Sequence, residues 1–309
     1  MNGGLNGYDN SPLFALNSIY SKNETVDVSL IQSFFGQDEL HVKAVENALQ
    51  FMCLSNPRPR DWVFVEAQRK EGDARFKWVV RLGIKYVFVG IENDRQDYFI
   101  KEQLWNIGTL HAESDNLVFV DADVSYCQMD WLKRVVETFA SGCQLFQPHS
   151  WSWRASEPDG FKGEPMRIND LNLTESFSHM RKLNKPLCNF NGHTGYDIAI
   201  SREYYNSIGG FYSLACTGGD FLMWSLLAND KFTTGHPLEN LMRKILERHP
   251  IPIVTIGCSD LSCFHIYHRS ISDREKKYGS DVETIKNSPT PEKYTTNNFG
   301  MNRIAELKK

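Results

Sequence analysis

Asp121 and Asp123 close the segment LVFVDAD, in which a strand suited to a dry interior ends in two carboxylates one residue apart. Residues two apart in extended backbone project to the same side, so both acids can face one ligand. Carboxylates held so close repel each other and lose water, and a hard divalent cation is the physical reason to keep them together. His265 and His268, in FHIYHR, have a spacing that converges on one ion when the segment turns. Imidazole with carboxylate oxygen suits Mn²⁺ or another transition metal better than an all-oxygen Mg²⁺ site. In TGGDFLMW, Gly218 and Gly219 allow close backbone approach to a ligand, and Asp220 stands where a helix begins, able to accept a proton from an incoming hydroxyl. Each feature also has a plain reading: a solvated acidic turn, a histidine bonded to a carbonyl, an acidic helix start worth at most about 1 kcal/mol.

The elements that must hold these residues follow from periodicity. TVDVSLIQSFF (25–35) has strand character, and DELHVKAVENALQFM (38–52) has the 3.6-residue period of an amphipathic helix. DWVFVEAQ (61–68) and IKYVFVGIEND (84–94) are further strands, and 98–113 is a helix leading into the strand that ends at Asp121. A helix over 130–142 has Asp130 as its N-cap and Gly142 past its end. Strands alternating with helices predict βα units around a mostly parallel sheet, whose ligands bind at the carboxyl ends of the strands. Residues 148–190 mix Trp, Gly and Pro without a sustained period and are expected to be an irregular, substrate-facing excursion, with Trp151 and Trp153 as either a sugar-stacking platform or core. Order returns with a strand and short helix after Gly192, a helix over 237–249 and a strand over 251–258, after which CFHIYHR (263–269) follows.

Composition bounds the function. The 309 residues are 41% hydrophobic and 23% charged, enough for one large α/β domain. A net charge of −4 gives no general basic footprint, so a nucleic-acid partner is not favoured. Seven cysteines without a Cys-x-x-Cys pair suggest neither a disulfide framework nor a zinc ribbon. No stretch approaches the roughly 20 apolar residues of a membrane span, and the first residues lack a signal peptide's pattern. A cytoplasmic protein is expected.

The ordered set KEQLWNIG, VFVDADV, GYDIAISREYYNSIGGF, TGGDF and HIYHR resembles the GT-A-fold glycosyltransferases, particularly the catalytic region of β-1,4-galactosyltransferases and family-two-like bacterial and viral enzymes. The similarity runs over about residues 26–280. It implies a Rossmann-like nucleotide-sugar-binding fold, with a tail at 1–24, a catalytic domain at 25–286 (donor part about 25–125, acceptor part about 126–286) and an extension at 287–309. It implies that Lys101, Asn106 and Gly108 line the donor nucleotide, together with Ser33 and Glu66 at the first two strand ends. Asp121 would lie by the ribose, Asp123 and His268 would hold the metal with His265 in place of the family's Met, and Gly218 and Gly219 would form the acceptor loop. Asp220 would be the base, although this chain has Gly-Gly-Asp-Phe where the galactosyltransferases have Gly-Gly-Glu-Asp.

The implied activity is transfer of a sugar from a nucleotide-diphosphate donor, a UDP-sugar first, to a hydroxyl of a glycan, lipid-linked or other acceptor, with Mn²⁺ or Mg²⁺ and with inversion, in a bacterial or viral intracellular setting. Glycosylation of modified DNA bases, nucleotidyl transfer and non-catalytic sugar binding are the alternatives. Release of diphosphate instead of a nucleoside diphosphate would reveal the second.

Overall fold

The structure, a computed structural model, describes residues 24–36, 38–69, 71–90, 101–155, 171–183, 193–211, 220, 224, 254 and 256–265. The expected tail, the C-terminal extension, Gly218, Gly219, His268 and the 237–249 helix lie outside these residues. Nine strands form one sheet: β1 (Thr25–Phe35), β2 (Arg58–Gln68), β3 (Lys85–Gly90), β4 (Asn116–Asp121), β5 (Val124–Tyr126), β6 (Leu145–Ala155), β7 (Leu171–Glu175), β8 (Asp197–Ser201) and β9 (Ile256–His265). Among the described residues the sheet is accompanied by the α-helices α1 (Glu39–Met52), α2 (Lys101–Thr109), α3 (Trp131–Ala140), α4 (Phe177–Lys182) and α5 (Arg202–Ser207).

The strand order is β3-β2-β1-β4-β8-β6-β9-β5, with β7 paired to β6. The first four strands are mutually parallel, but β8 is antiparallel to β4 and β6, and β5 is antiparallel to β9. The sheet is therefore mixed, against the expectation of a mostly parallel one. Strand direction left no trace in the sequence because Ile198, Ala199 and Ile200 of β8 are buried on both faces, as the parallel strands are.

Two cores cover the two faces. Ile31, Val63, Val65, Leu117 and Phe119 point to one side, against Leu104 and Trp105 of α2. Leu30, Phe34, Phe64, Val118 and Val120 point to the other, against Val42, Val45 and Leu49 of α1. The continuous apolar run of β4 is the signature of a strand buried on both faces. Asp38 caps α1, its carboxylate accepting the Leu40 N–H at 2.9 Å. Asp130 stands before α3 but makes no capping bond, and pairs with Arg134 one turn on.

Two further expectations are corrected. The excursion from 148 begins inside β6, an eleven-residue strand, so Trp151 and Trp153 are strand residues; Trp151 is 36% exposed and meets His179 edge to face. The strand expected over 251–258 is described from Ile256 and runs on to His265 as β9, with irregular register against β6. Among the described residues no helix is long and apolar enough to cross a membrane.

One connection shapes the site. Only Ala122 and Asp123 join β4 to β5, a reach of about 11 Å for three peptide steps. In a flat sheet the four strand spacings between β4 and β5 would separate them by about 19 Å. The sheet must curl, and curling carries the end of β9, with His265, to the end of β4.

Candidate active site at the carboxyl ends of β1 and β4

β1 is followed outward by β2 and β3, while β4 returns to its other side. The crevice at the carboxyl ends of β1 and β4 is thus the topological switch point, where open α/β sheets bind ligands. Ser33 and Asp121 are register partners there. The Ser33 hydroxyl is buried and makes no hydrogen bond among the described residues.

α2 brings a cation. The Lys101 ammonium lies 3.0 Å from Asp121 Oδ1 and 2.5 Å from Asp220 Oδ1, and 4.8 Å from the centre of the Trp105 ring. Burial works against its charge, but Asp121, Asp220 and Glu102 outweigh burial and raise its pKa. Glu102 is fully buried beside Asp220. Burial raises it to about 8, against the pull of Lys101 and with the push of Asp220. Asp121 is raised to about 7, by burial first, with Lys101 opposing and Asp220 and Asp123 adding.

Asp123 lies past the strand end, where Val124 pairs with His265. Its Oδ2 is 3.2 Å from His265 Nε2 and 3.6 Å from His41 Nε2. Two cis ligands of an ion with bonds near 2.1 Å stand about 3.0 Å apart, so the Asp123–His265 pair has the spacing of a divalent-cation site. The charge balance agrees. Three carboxylates, Glu102, Asp121 and Asp220, surround the Lys101 ammonium, and Asp123 adds its charge beside Asp121. The donor set of one carboxylate oxygen and one imidazole fits Mn²⁺.

Gly195 lets the other wall close in. A Cβ there would stand 2.9 Å from Asp220 Oδ2 and 2.8 Å from His193 Cε1, so any larger residue would have to displace one of these side chains. Tyr196 follows with φ 78°, a strained conformation for a bulky residue. Its carbonyl accepts the Asp121 N–H at 2.7 Å.

Lys101, Asp121, Asp123, Asp220 and His265 therefore converge, with Ser33 beside them. Glu66, Asn106 and Gly108 have other work. Each Glu66 oxygen accepts two hydrogen bonds: Oε1 from Arg75 N (2.7 Å) and Gln68 Nε2 (3.3 Å), Oε2 from Phe76 N (2.9 Å) and Tyr86 Oη (2.8 Å). Its carboxylate folds the 71–82 segment onto β2 and has no capacity left for a donor. Asn106 donates to the Phe211 carbonyl and accepts from Phe211 N and Tyr205 Oη, which anchors the turn after α5. Gly108 lets α2 lie on the sheet, since a Cβ would stand 2.6 Å from Ile31 Cγ2.

Sequence reading missed Glu102, His41 and Tyr196. Glu102 falls in a Lys-Glu-Gln run whose three members are all buried, a pattern that reads as an exposed helix start. A single histidine in an amphipathic helix gave no signal for His41.

Two other places were candidates. His149, Asp197 and Cys263 have ligand atoms within 4.8 Å of one another. Asp197 is already satisfied by His149 Nδ1 at 2.6 Å and Tyr126 Oη at 2.5 Å, and burial holds the Cys263 thiol far above its ordinary pKa, so the trio is a buried polar network. A groove of about 690 Å³ between α3 and the start of β9, lined by residues including Lys133, Arg134, Lys182 and Asp260, lies away from the converging acids.

No family model and no curated protein matches the chain. Solved structures that resemble it include glucosyl-3-phosphoglycerate synthase from Mycobacterium tuberculosis in complex with Mn²⁺, UDP-glucose and phosphoglyceric acid (TM-score 0.44, 10% identity, 92% of this chain and 86% of that one). The mannosyltransferase PcManGT from Pyrobaculum calidifontis in complex with GDP-Man and Mn²⁺ is another (TM-score 0.43, 15% identity, 91% of this chain and 74% of that one). Likeness at this level assigns no activity, and neither structure is a β-1,4-galactosyltransferase.

Proposed function

We propose that this chain is a metal-dependent glycosyltransferase that moves a sugar from a nucleotide-diphosphate donor to an acceptor hydroxyl with inversion. The observation that carries the reading is the 3.2 Å approach of Asp123 Oδ2 to His265 Nε2 at the switch point, beside Asp121, Lys101 and Asp220. Asp123 and His265, with His268, would hold Mn²⁺ or Mg²⁺, which when bound supplies positive charge for the diphosphate leaving group.

The chain's own residues divide the remaining work. Ser33 and Asp121, register partners at the crevice, take the ribose side of the donor. Lys101 fixes the Asp121 and Asp220 carboxylates relative to each other. Asp220 accepts the proton of the acceptor hydroxyl as its oxygen bonds to the anomeric carbon; the bond from that carbon to the phosphate oxygen breaks, and the nucleoside diphosphate leaves with its electron pair. Gly218 and Gly219, which precede Asp220 in sequence, would serve the acceptor side. A UDP-sugar donor and a glycan, lipid-linked or other hydroxyl acceptor fit this chemistry.

The test is donor hydrolysis and thermal shift across a panel of nucleotide sugars, with Mn²⁺, with Mg²⁺ and with chelator, for wild type and Asp123→Ala. Metal-dependent stabilisation and slow release of nucleoside diphosphate by wild type alone are expected. If no nucleotide sugar binds under any metal condition, the transferase reading is wrong. Retained configuration in a product would remove Asp220 from the base role.

A further inference from the structure

Tyr196 occupies a conformation that a bulky residue adopts only when its surroundings over-determine it, with φ at 78°. It is 3% exposed. The left-handed turn does two things at once. It sends the Tyr196 carbonyl to the Asp121 N–H at 2.7 Å, extending the β4–β8 ladder one step past the Val120–Asp197 pair to the strand end. It also sends the ring among three imidazoles: stacked on His193 at 3.9 Å and 17°, tilted against His265 at 4.9 Å, and 5.8 Å from His149. The residue after it, Asp197, is pinned by Tyr126 and His149, so the turn has a fixed base.

We propose that Tyr196 is a positioning residue for divalent-cation binding, its ring fixing the direction of the His265 imidazole while its carbonyl fixes the end of β4 that carries Asp121 and Asp123. The inference rests on the cation reading of Asp123 and His265. A ligand imidazole is held in direction by what packs on its face as well as by what bonds its second nitrogen. Here the ring of Tyr196 packs against His265, and His193 backs that ring from another side. An ordinary core tyrosine would meet neither the strain nor this stack, and a residue chosen for packing alone would be expected at negative φ.

The experiment uses Mn²⁺ alone, with affinity from titration and histidine nitrogen coupling to the bound ion from pulsed EPR. The proteins are wild type, Tyr196→Phe, Tyr196→Met, Tyr196→Gly and His265→Ala. Tyr196→Phe keeps the aromatic face and should bind within twofold of wild type with the same coupling. Tyr196→Met and Tyr196→Gly should bind at least fivefold more weakly, with coupling reduced to the level of His265→Ala. Glycine also relieves the backbone strain, so it supplies a folded variant if methionine does not. A folded Met or Gly variant that matches wild type in affinity and coupling overturns the positioning role while leaving the cation site in place. Wild type that binds no Mn²⁺ overturns the cation reading itself, and the positioning role with it.

Discussion

The ammonium of Lys101 lies 2.5 Å from Oδ1 of Asp220, so the first residue of α2 is tied to a carboxylate more than a hundred positions later in the chain. Lys101 is 4% exposed, and through the same nitrogen it also holds Asp121. Truncating one partner of a buried ion pair leaves uncompensated charge, at a cost of about 3–5 kcal/mol. Lys101→Met should therefore lower stability by about that amount, read by urea unfolding at pH 7 in chelator. Added Mn²⁺ should recover part of the loss, because a cation restores the missing positive charge. Unchanged stability would mean that the three carboxylates around Lys101 are solvated and not a charge cluster.

Glu102 gives the cluster a pH signature. Burial raises its folded-state pKa to about 8, above the ordinary value near 4.5. The folded protein then binds more protons than the unfolded chain between these values, so stability is highest below about pH 4.5 with respect to this group and falls as pH rises toward 8. Glu102→Gln should remove that decline. Thermal melts in chelator at pH 5.5 and 8.5 should show a wild-type decrease that the variant reduces. Equal slopes for the two proteins would contradict a buried, proton-holding Glu102.

Much of the stretch up to β4 was legible in the sequence because its physics is periodic. β4 announces itself by a run buried on both faces, and α1 by Val42, Val45 and Leu49 on one stripe. The stretch from β6 onward was not legible in the same way. β6 buries Gln147, His149, Ser150 and Ser152, so its alternation of apolar and polar is erased, and the strand read as irregular chain. Residue type and order single out Asp121, Asp123, Asp220 and His265, whereas the curl that brings β9 to β4 follows only from pairing. Glu66 marks the limit of such reading. An acid at a strand end looks the same whether it meets a ligand or, as here, the N–H groups of Arg75 and Phe76.

Asn106 and Gly108 separate packing from donor binding. A methyl at Gly108 would press on Ile31 Cγ2 at 2.6 Å and Val65 Cγ2 at 3.1 Å, and overpacking of this kind costs about 1–3 kcal/mol. Asn106→Ala would leave the buried Phe211 N–H and carbonyl without their partner, at about 1–3 kcal/mol for each group left unpaired. Both variants should melt at lower temperature, while the folded protein keeps its affinity for a nucleotide sugar. A large loss of affinity at unchanged melting temperature would return these residues to the donor site.

Asp123 and His265 should differ in how their loss is felt. Asp123 supplies charge and a hard oxygen, whereas His265 supplies a neutral nitrogen, so the cation's attraction to the site depends more on the aspartate. Asp123→Ala should abolish measurable Mn²⁺ binding, and His265→Ala should weaken it at least about 10-fold, the least that loss of a group merely orienting a ligand costs. The pH dependence supplies the internal control. On the proposed reading a bound cation and a proton compete for the His265 nitrogen, so acid should weaken wild-type binding more than it weakens binding by His265→Ala. Titration of Mn²⁺ at pH 5.5, 6.5 and 7.5 measures all three proteins on one scale. If His265→Ala binds as wild type does at every pH, the 3.2 Å contact is a hydrogen bond between imidazole and carboxylate, and the cation, if bound at all, is held without this histidine.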